Sequence, residues 1–239
     1  MKNNPLCTAA RAIKRLMIKI IEIRLGRIDR DNRRRLTNAS PTLICPSCIG
    51  GYIYHWLGIE FRSPFINLYM ENNDFLTAME HFDEFMAGPL VEETTLNTEW
   101  PVGRGVHGER IHFLHYPDFE TALEEWNKRK ERIDKSNMAV WLTNLGCGIE
   151  QATKYDRAAA EEVRRRTDAV VERFNRLPFK NKLIFSDRAI DKPNAVHIKH
   201  YHGYPQWSLF KLDKHSLLKR YIDQFDYVDY INNMEREQA

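Results

Sequence analysis

Three short apolar runs constrain this chain most: Thr42-Leu-Ile-Cys45, Met138-Ala-Val-Trp-Leu142 and Lys182-Leu-Ile-Phe-Ser186. Each is too short for a helix and reads as a strand, the first of them short and buried. The segments between them carry helical spacing. Pro46 and Ser47 suit a helix start, and the helix that follows ends at Gly58. Over 72–86, Phe75, Leu76, Met79, Phe82 and Met86 recur at helix spacing, as do Phe119, Leu123, Trp126 and Ile133 over 118–133 and Val170 and Phe174 over 155–176. Strands alternating with helices of this length predict an α/β fold with a mainly parallel sheet flanked by helices.

Two further strands are expected at 61–70, broken near its start by Pro64, and at 109–116. Residues 88–108 are polar and punctuated by Pro and Gly, so they read as loop. Beyond residue 190 an edge strand and a closing helix over 213–223 form an added α/β element. The expected division is a basic leader helix over 1–38, an α/β core over 39–190 and a C-terminal extension over 191–239.

Charge separates the leader from the rest. Residues 11–35 hold ten Lys/Arg against Glu22, Asp29 and Asp31, a local +7, so the remainder carries −4 of the overall +3. A nucleic-acid-binding body carries its basic surface on the folded domain, so no nucleic-acid partner is expected. Lys19 and Glu22 interrupt what would be the apolar region of a signal peptide, and no run reaches the roughly 20 apolar residues of a spanning helix. Ile13, Leu16, Met17, Ile20 and Ile21 form a helical stripe among cations. That stripe docks on its own domain, docks on a second subunit in a homo-oligomer, or lies on an anionic membrane surface. Four cysteines in 239 residues do not make a disulfide framework, so a reducing compartment is expected.

The segment Cys45-Pro-Ser-Cys-Ile-Gly-Gly51 carries most of the chemistry. A zinc site would need two more ligands, and Cys7, Cys147, His197, His200 and His202 show no spacing that requires one, so no metal is expected. A redox dithiol would suit strand-CxxC-helix, but the later elements do not follow that small fold. Gly103, Gly105 and Gly108 form a G-x-G-x-x-G that precedes a strand, whereas the dinucleotide fingerprint follows one. A fourth reading fits the geometry better. Cys48 sits in the first turn of a helix, at the carboxyl end of a strand, where backbone N–H groups favour a thiolate or an anion. Gly50 and Gly51 permit close approach of another backbone or a ligand. His112 and His115 point to opposite faces of the 109–116 strand; His115, nearer its carboxyl end, is the better general base, against the alternative of two structural histidines. Arg129 and Arg132, three apart near a helix end, form either a clamp for a diphosphate or carboxylate or a solvated charged face.

Taken together, "LICPSCIGGYIYHWLGIEFRSPFINLYM", "WPVG", "IHFLHY", "EEWNKRKERIDKSNMAV" and "RFNRLPFKNKLIF" resemble, in this order and over roughly residues 41–187, the family called domain of unknown function 1919. Its bacterial members are usually labelled exopolysaccharide biosynthesis proteins. The family's turn usually reads Ser-Asn-Asn-Cys, aligned with Cys45, Pro46, Ser47 and Cys48, so only the last residue matches and the CxxC pairing is incidental.

The resemblance implies a Rossmann-like α/β fold and a cytoplasmic protein of exopolysaccharide or capsule biosynthesis, peripheral at the inner face of the membrane. The implied activity is a transferase acting on a sugar or polysaccharide intermediate, with acyl transfer from an acyl-CoA first and glycosyl transfer from a nucleotide sugar as the alternative. No cofactor beyond such a donor is implied. Asp29-Arg30-Asp31, the sole Asp-x-Asp, lies in the leader rather than after a strand. A non-catalytic carbohydrate-binding or assembly factor is the third reading, with Trp100, Trp126, Trp141 and Trp207 as stacking platforms. The candidate catalytic residues are Cys48, His115 and His112. The candidate substrate-binding residues are Ser47, Gly50, Gly51, Ser63, Trp126, Arg129, Arg132 and Asn137.

Overall fold

The computed structural model describes residues 5–143, 157–199, 209–213, 215–216 and 218–236. Four strands, β1 (Thr42–Ile44), β5 (Met138–Leu142), β6 (Asn181–Ser186) and β7 (Ala195–His197), form a parallel sheet in the order β1-β5-β6-β7. Period-two alternation sends their side chains to two cores. Ile44, Val140, Leu142 and Ile184 face one; Leu43, Ala139, Trp141, Leu183 and Phe185 face the other. Burial on both faces explains why these strands read as unbroken apolar runs.

Helices α3 (Asn72–Glu80), α4 (Phe82–Ala87), α5 (Phe119–Lys130) and α6 (Arg157–Asn175) cover the first face, and α2 (Ile49–Leu57) and α7 (Tyr227–Asn232) the second. The mixed α/β architecture with a parallel sheet flanked by helices is the one the alternation predicts. Helix α2 stops at Gly58, whose φ of 68° is the left-handed cap that glycine adopts without strain. Asp118 caps α5 by accepting from the Thr121 N–H, and Lys128, Arg129 and Lys130 oppose the dipole at its other end.

Several expectations are corrected. Residues 61–70 are not a strand. They run as irregular chain, with Phe65, Leu68 and Met70 fully buried, and pair with β4 (Arg110–His112) at a Tyr69–His112 bridge. The 72–86 helix breaks at His81 into α3 and α4. The expected loop 88–108 contains β2 (Val91–Glu92) and β3 (Val102–Arg104), which with β4 (Arg110–His112) make a separate antiparallel sheet, so the 109–116 strand ends at His112 and lies outside the parallel sheet. In place of the expected helix over 213–223, residues 215–216 are turn, Leu212 bridges Arg220 and a 3-10 helix spans Tyr221–Gln224; the terminal α-helix is 227–232.

Helix α1 (Pro5–Arg35) docks through its second half. The Arg220 guanidinium donates both Nη groups to the Asp29 carboxylate at 2.7 and 2.8 Å and lies 3.8 Å over the Trp56 ring. Asn32 donates to the Tyr227 hydroxyl, and Arg33 to the Trp56 carbonyl. The first half projects: every residue from 11 to 20 is exposed, Ile13 and Leu16 by 60%. Among the described residues no helix is long and apolar enough to cross a membrane.

Candidate active site

The β1–α2 turn sits at the carboxyl end of the parallel sheet. The Ser47 hydroxyl lies 2.9 Å from that of Thr143, which follows β5, and the Pro46 carbonyl accepts from the Met70 N–H. The two glycines after Cys48 are packing requirements. A Cβ on Gly50 would stand 3.3 Å from Cys45 Sγ, and one on Gly51 3.3 Å from Ile66. Close approach is therefore real, but it is by Cys45 and Ile66.

Cys48 is the N-cap of α2, one residue before the first helical position, and its thiol donates toward the Leu68 carbonyl at 3.7 Å. Its Sγ lies 3.8 Å from His115 Nε2. Burial pushes the Cys48 thiol up to about 11, so at neutral pH it is protonated. The expectation that the helix start favours a thiolate is corrected here: the cost of desolvating the charge exceeds the help from the backbone. Cys45, fully buried, is raised further for the same reason.

His115 reaches Cys48 from a turn just past β4, not from a strand of the parallel sheet. Phe113, buried against Phe119 and Trp126, anchors that turn. A cleft of about 340 Å³ opens between Cys48 and His115, walled by Cys48, Gly51, Tyr52 and His55 on α2 and its cap and by Phe61, Asn67 and His115 opposite. Asn67 has a φ of 60°, alone among the described non-glycine residues in being positive. Asparagine tolerates this conformation better than most residues, and strained backbone collects at functional sites. Sequence reasoning missed Asn67, Tyr52, His55 and Phe61; a lone Asn inside the apolar run Phe65–Met70 was the available signal.

The arginines do not form an open anion clamp. Arg129 donates to the Tyr116 hydroxyl and to the Glu125 carboxylate, both at 2.6 Å, while its guanidinium lies 5.7 Å over Phe61. Arg132 donates to the Phe61 carbonyl at 3.0 Å and sits beside Glu60. Their charges are balanced, and both hold Phe61, a wall of the cleft.

The remaining candidates lie elsewhere. His112 is half-buried, accepts from Trp100 Nε1 at 3.1 Å, and has its pKa lowered chiefly by burial. Trp126 is 2% exposed among Phe65, Phe85 and Phe113, so no ring face is left for a sugar; Trp141 is likewise buried. Ser63 is buried and accepts from the Phe65 N–H. Asn137 exchanges hydrogen bonds with Asn38 at the amino end of β5, opposite the Cys48 turn. Trp207, His200, His202 and Cys147 lie outside the described residues.

The profile of the family described as Domain of unknown function (DUF1919) matches residues 19–162 and 159–232, beyond the 41–187 resemblance at both ends. A protein of Haemophilus influenzae, itself described only as uncharacterized, is 34% identical over 210 residues, 86% of this chain and 91% of its own length. With a match across most of the chain, this protein belongs to the DUF1919 family.

Proposed function

We propose that this protein is a transferase of exopolysaccharide or capsular polysaccharide biosynthesis that moves an acyl group from a thioester donor, an acyl-CoA, to a sugar hydroxyl. The observation that carries the proposal is the Cys48–His115 pair lining a cleft of about 340 Å³. A thiol held neutral by burial is not a standing nucleophile, so its proton must leave as the sulfur attacks. His115 Nε2 is the acceptor. Cys48 Sγ bonds to the acyl carbonyl carbon, its proton passes to His115, and the CoA sulfur departs, taking that proton. His115 then removes the proton from the sugar hydroxyl, whose oxygen attacks the acyl-Cys48 thioester. Cys48 leaves as a thiol, reprotonated by His115. The oxyanion in each half falls near the first turn of α2, whose N–H groups lack intrahelical acceptors and whose Gly51 lines the cleft. Glycosyl transfer is the weaker reading, because Arg129 and Arg132 are already paired and Asp29 of Asp29-Arg30-Asp31 holds Arg220.

Helix α1 supports a location for this reaction. Ile13, Leu16, Met17, Ile20 and Ile23 are exposed beside Arg11, Lys14, Arg15 and Lys19, the pattern of a helix lying on an anionic lipid surface. The acceptor in this reading is a membrane-associated sugar intermediate.

A thermal-shift panel comparing acyl-CoAs with nucleotide sugars tests the reading. A ligand at a hundred times its Kd stabilises by roughly 2.7 kcal/mol, which melting resolves. A shift with CoA esters that changes in Cys48→Ala or His115→Ala is expected. A shift with nucleotide sugars alone would replace acyl transfer by glycosyl transfer, and a shift with neither would favour a carbohydrate-binding or assembly role.

A further inference from the structure

Outside the cysteine cleft, three side chains from two elements converge. His81 closes α3 and opens α4, Glu84 lies three residues on along the same face, and His107 sits at the tip of the β3–β4 hairpin. One potential ligand atom from each lies within 4.8 Å of the others. His107 Nε2 is 2.8 Å from the Glu84 carboxylate, and the two imidazole rings stack with centroids 4.2 Å apart.

The hairpin tip is held in register with α4. Gly105 donates to the Glu109 carbonyl, Gly108 turns the chain with a φ of 89°, and the His107 N–H donates to the buried Glu109 carboxylate at 3.0 Å. A Cβ on Gly88, just past α4, would lie 2.4 Å from Val106, and one on Gly105 2.7 Å from Phe85 of α4. The tip thus seats tightly on the helix, and His107 is placed by backbone rather than by its own side-chain freedom.

We propose that His81, Glu84 and His107 bind one Zn²⁺ ion. Two imidazoles and a carboxylate form a recognised zinc donor set that leaves coordination positions open. A divalent cation accepts a lone pair from each of the three groups. Small rotations of the exposed side chains close the present spacing to coordination distance. His81 and Glu84 also line a groove with Met79, Phe82, Lys135 and Phe179, toward which the open positions would hold water or an anionic ligand. The ion would clasp α4 to the hairpin whose second strand, β4, leads into the His115 turn.

Isothermal titration of the full chain with Zn²⁺, in the presence of a competing chelator, tests this independently of any transferase activity. The expected result is one Zn²⁺ per chain, with affinity reduced more than about 10-fold in His107→Ala and in Glu84→Gln and unchanged in Cys48→Ala and Cys45→Ala. Substitution by Co²⁺ should give a visible spectrum without a thiolate charge-transfer band. All three ligands are exposed, so circular dichroism will show the variants folded. Binding that survives His107→Ala and His81→Ala, binding that disappears in Cys48→Ala, or no binding at all would overturn the proposal.

Discussion

The Arg129 guanidinium donates to the Tyr116 hydroxyl at 2.6 Å, tying α5 to the turn that carries His115, and the same guanidinium lies over Phe61 across the cleft. Arg129 is thus a positioning residue for both walls of the candidate site. Arg129→Ala should lower kcat of acyl transfer by about 10- to 100-fold with little change in the KM of the donor, because misplacement of a reacting group is paid in the transition state. Tyr116→Phe, which removes only the acceptor hydroxyl, should give a smaller loss of the same kind. Steady-state kinetics check both, and a change confined to KM would contradict the assignment.

Cys48 should be slow to alkylate at neutral pH. With a thiol pKa of about 11, only about one molecule in ten thousand carries the thiolate at pH 7. The iodoacetamide rate should climb about tenfold per pH unit up to that value. The sign for stability follows from the same shift. The folded pKa is raised above the ordinary 9.0, so the contribution is fully present below pH 9 and is lost as pH rises toward 11. Denaturation midpoints should fall over that window, and fall less in Cys48→Ala.

The Arg220–Asp29 pair should be worth more to stability than any exposed ion pair here. Arg220 is nearly buried and also packs on Trp56, so Arg220→Ala strands the Asp29 carboxylate and vacates the ring face together. A loss of about 3 kcal/mol in chemical denaturation is expected, the lower end for breaking a buried pair. Arg34→Ala, whose partner Asp31 is exposed with it, should cost less than about 1 kcal/mol.

Helix α1 should bind vesicles containing anionic lipid and ignore neutral ones. Leu16→Glu together with Ile20→Glu should abolish binding, because both lie on the exposed apolar stripe. Each of Arg15→Gln and Lys19→Gln should weaken it about fivefold, near 1 kcal/mol per charge. Flotation assays read both, and binding indifferent to lipid charge would contradict the surface reading.

What the sequence revealed depended on how each segment buries its side chains. β1, β5 and β6 were readable because a strand covered on both faces is an apolar run, and Gly58 because a left-handed cap selects glycine. Residues 61–70 misled because Phe65, Leu68 and Met70 are as buried as any strand, yet they run as irregular chain pinned at Met70 N–H and Tyr69. β2 was hidden because its two residues are exposed and set no apolar pattern.

The site followed the same logic. Cys48 and His115 are each singled out by residue type, but the strand expected to carry His115 ends at His112, and His115 arrives from the antiparallel hairpin by way of a turn. Such a contact between separate sheets leaves no periodic trace. Burial removes Trp126, expected as a stacking platform, and Asn137 from any ligand.

The most direct test is intact-protein mass spectrometry after incubation with short acyl-CoAs and no acceptor, followed by peptide mapping. The account predicts one added acyl group on Cys48, absent in Cys48→Ala and strongly reduced in His115→Ala. An unmodified protein, or an adduct that persists in Cys48→Ala, would contradict it.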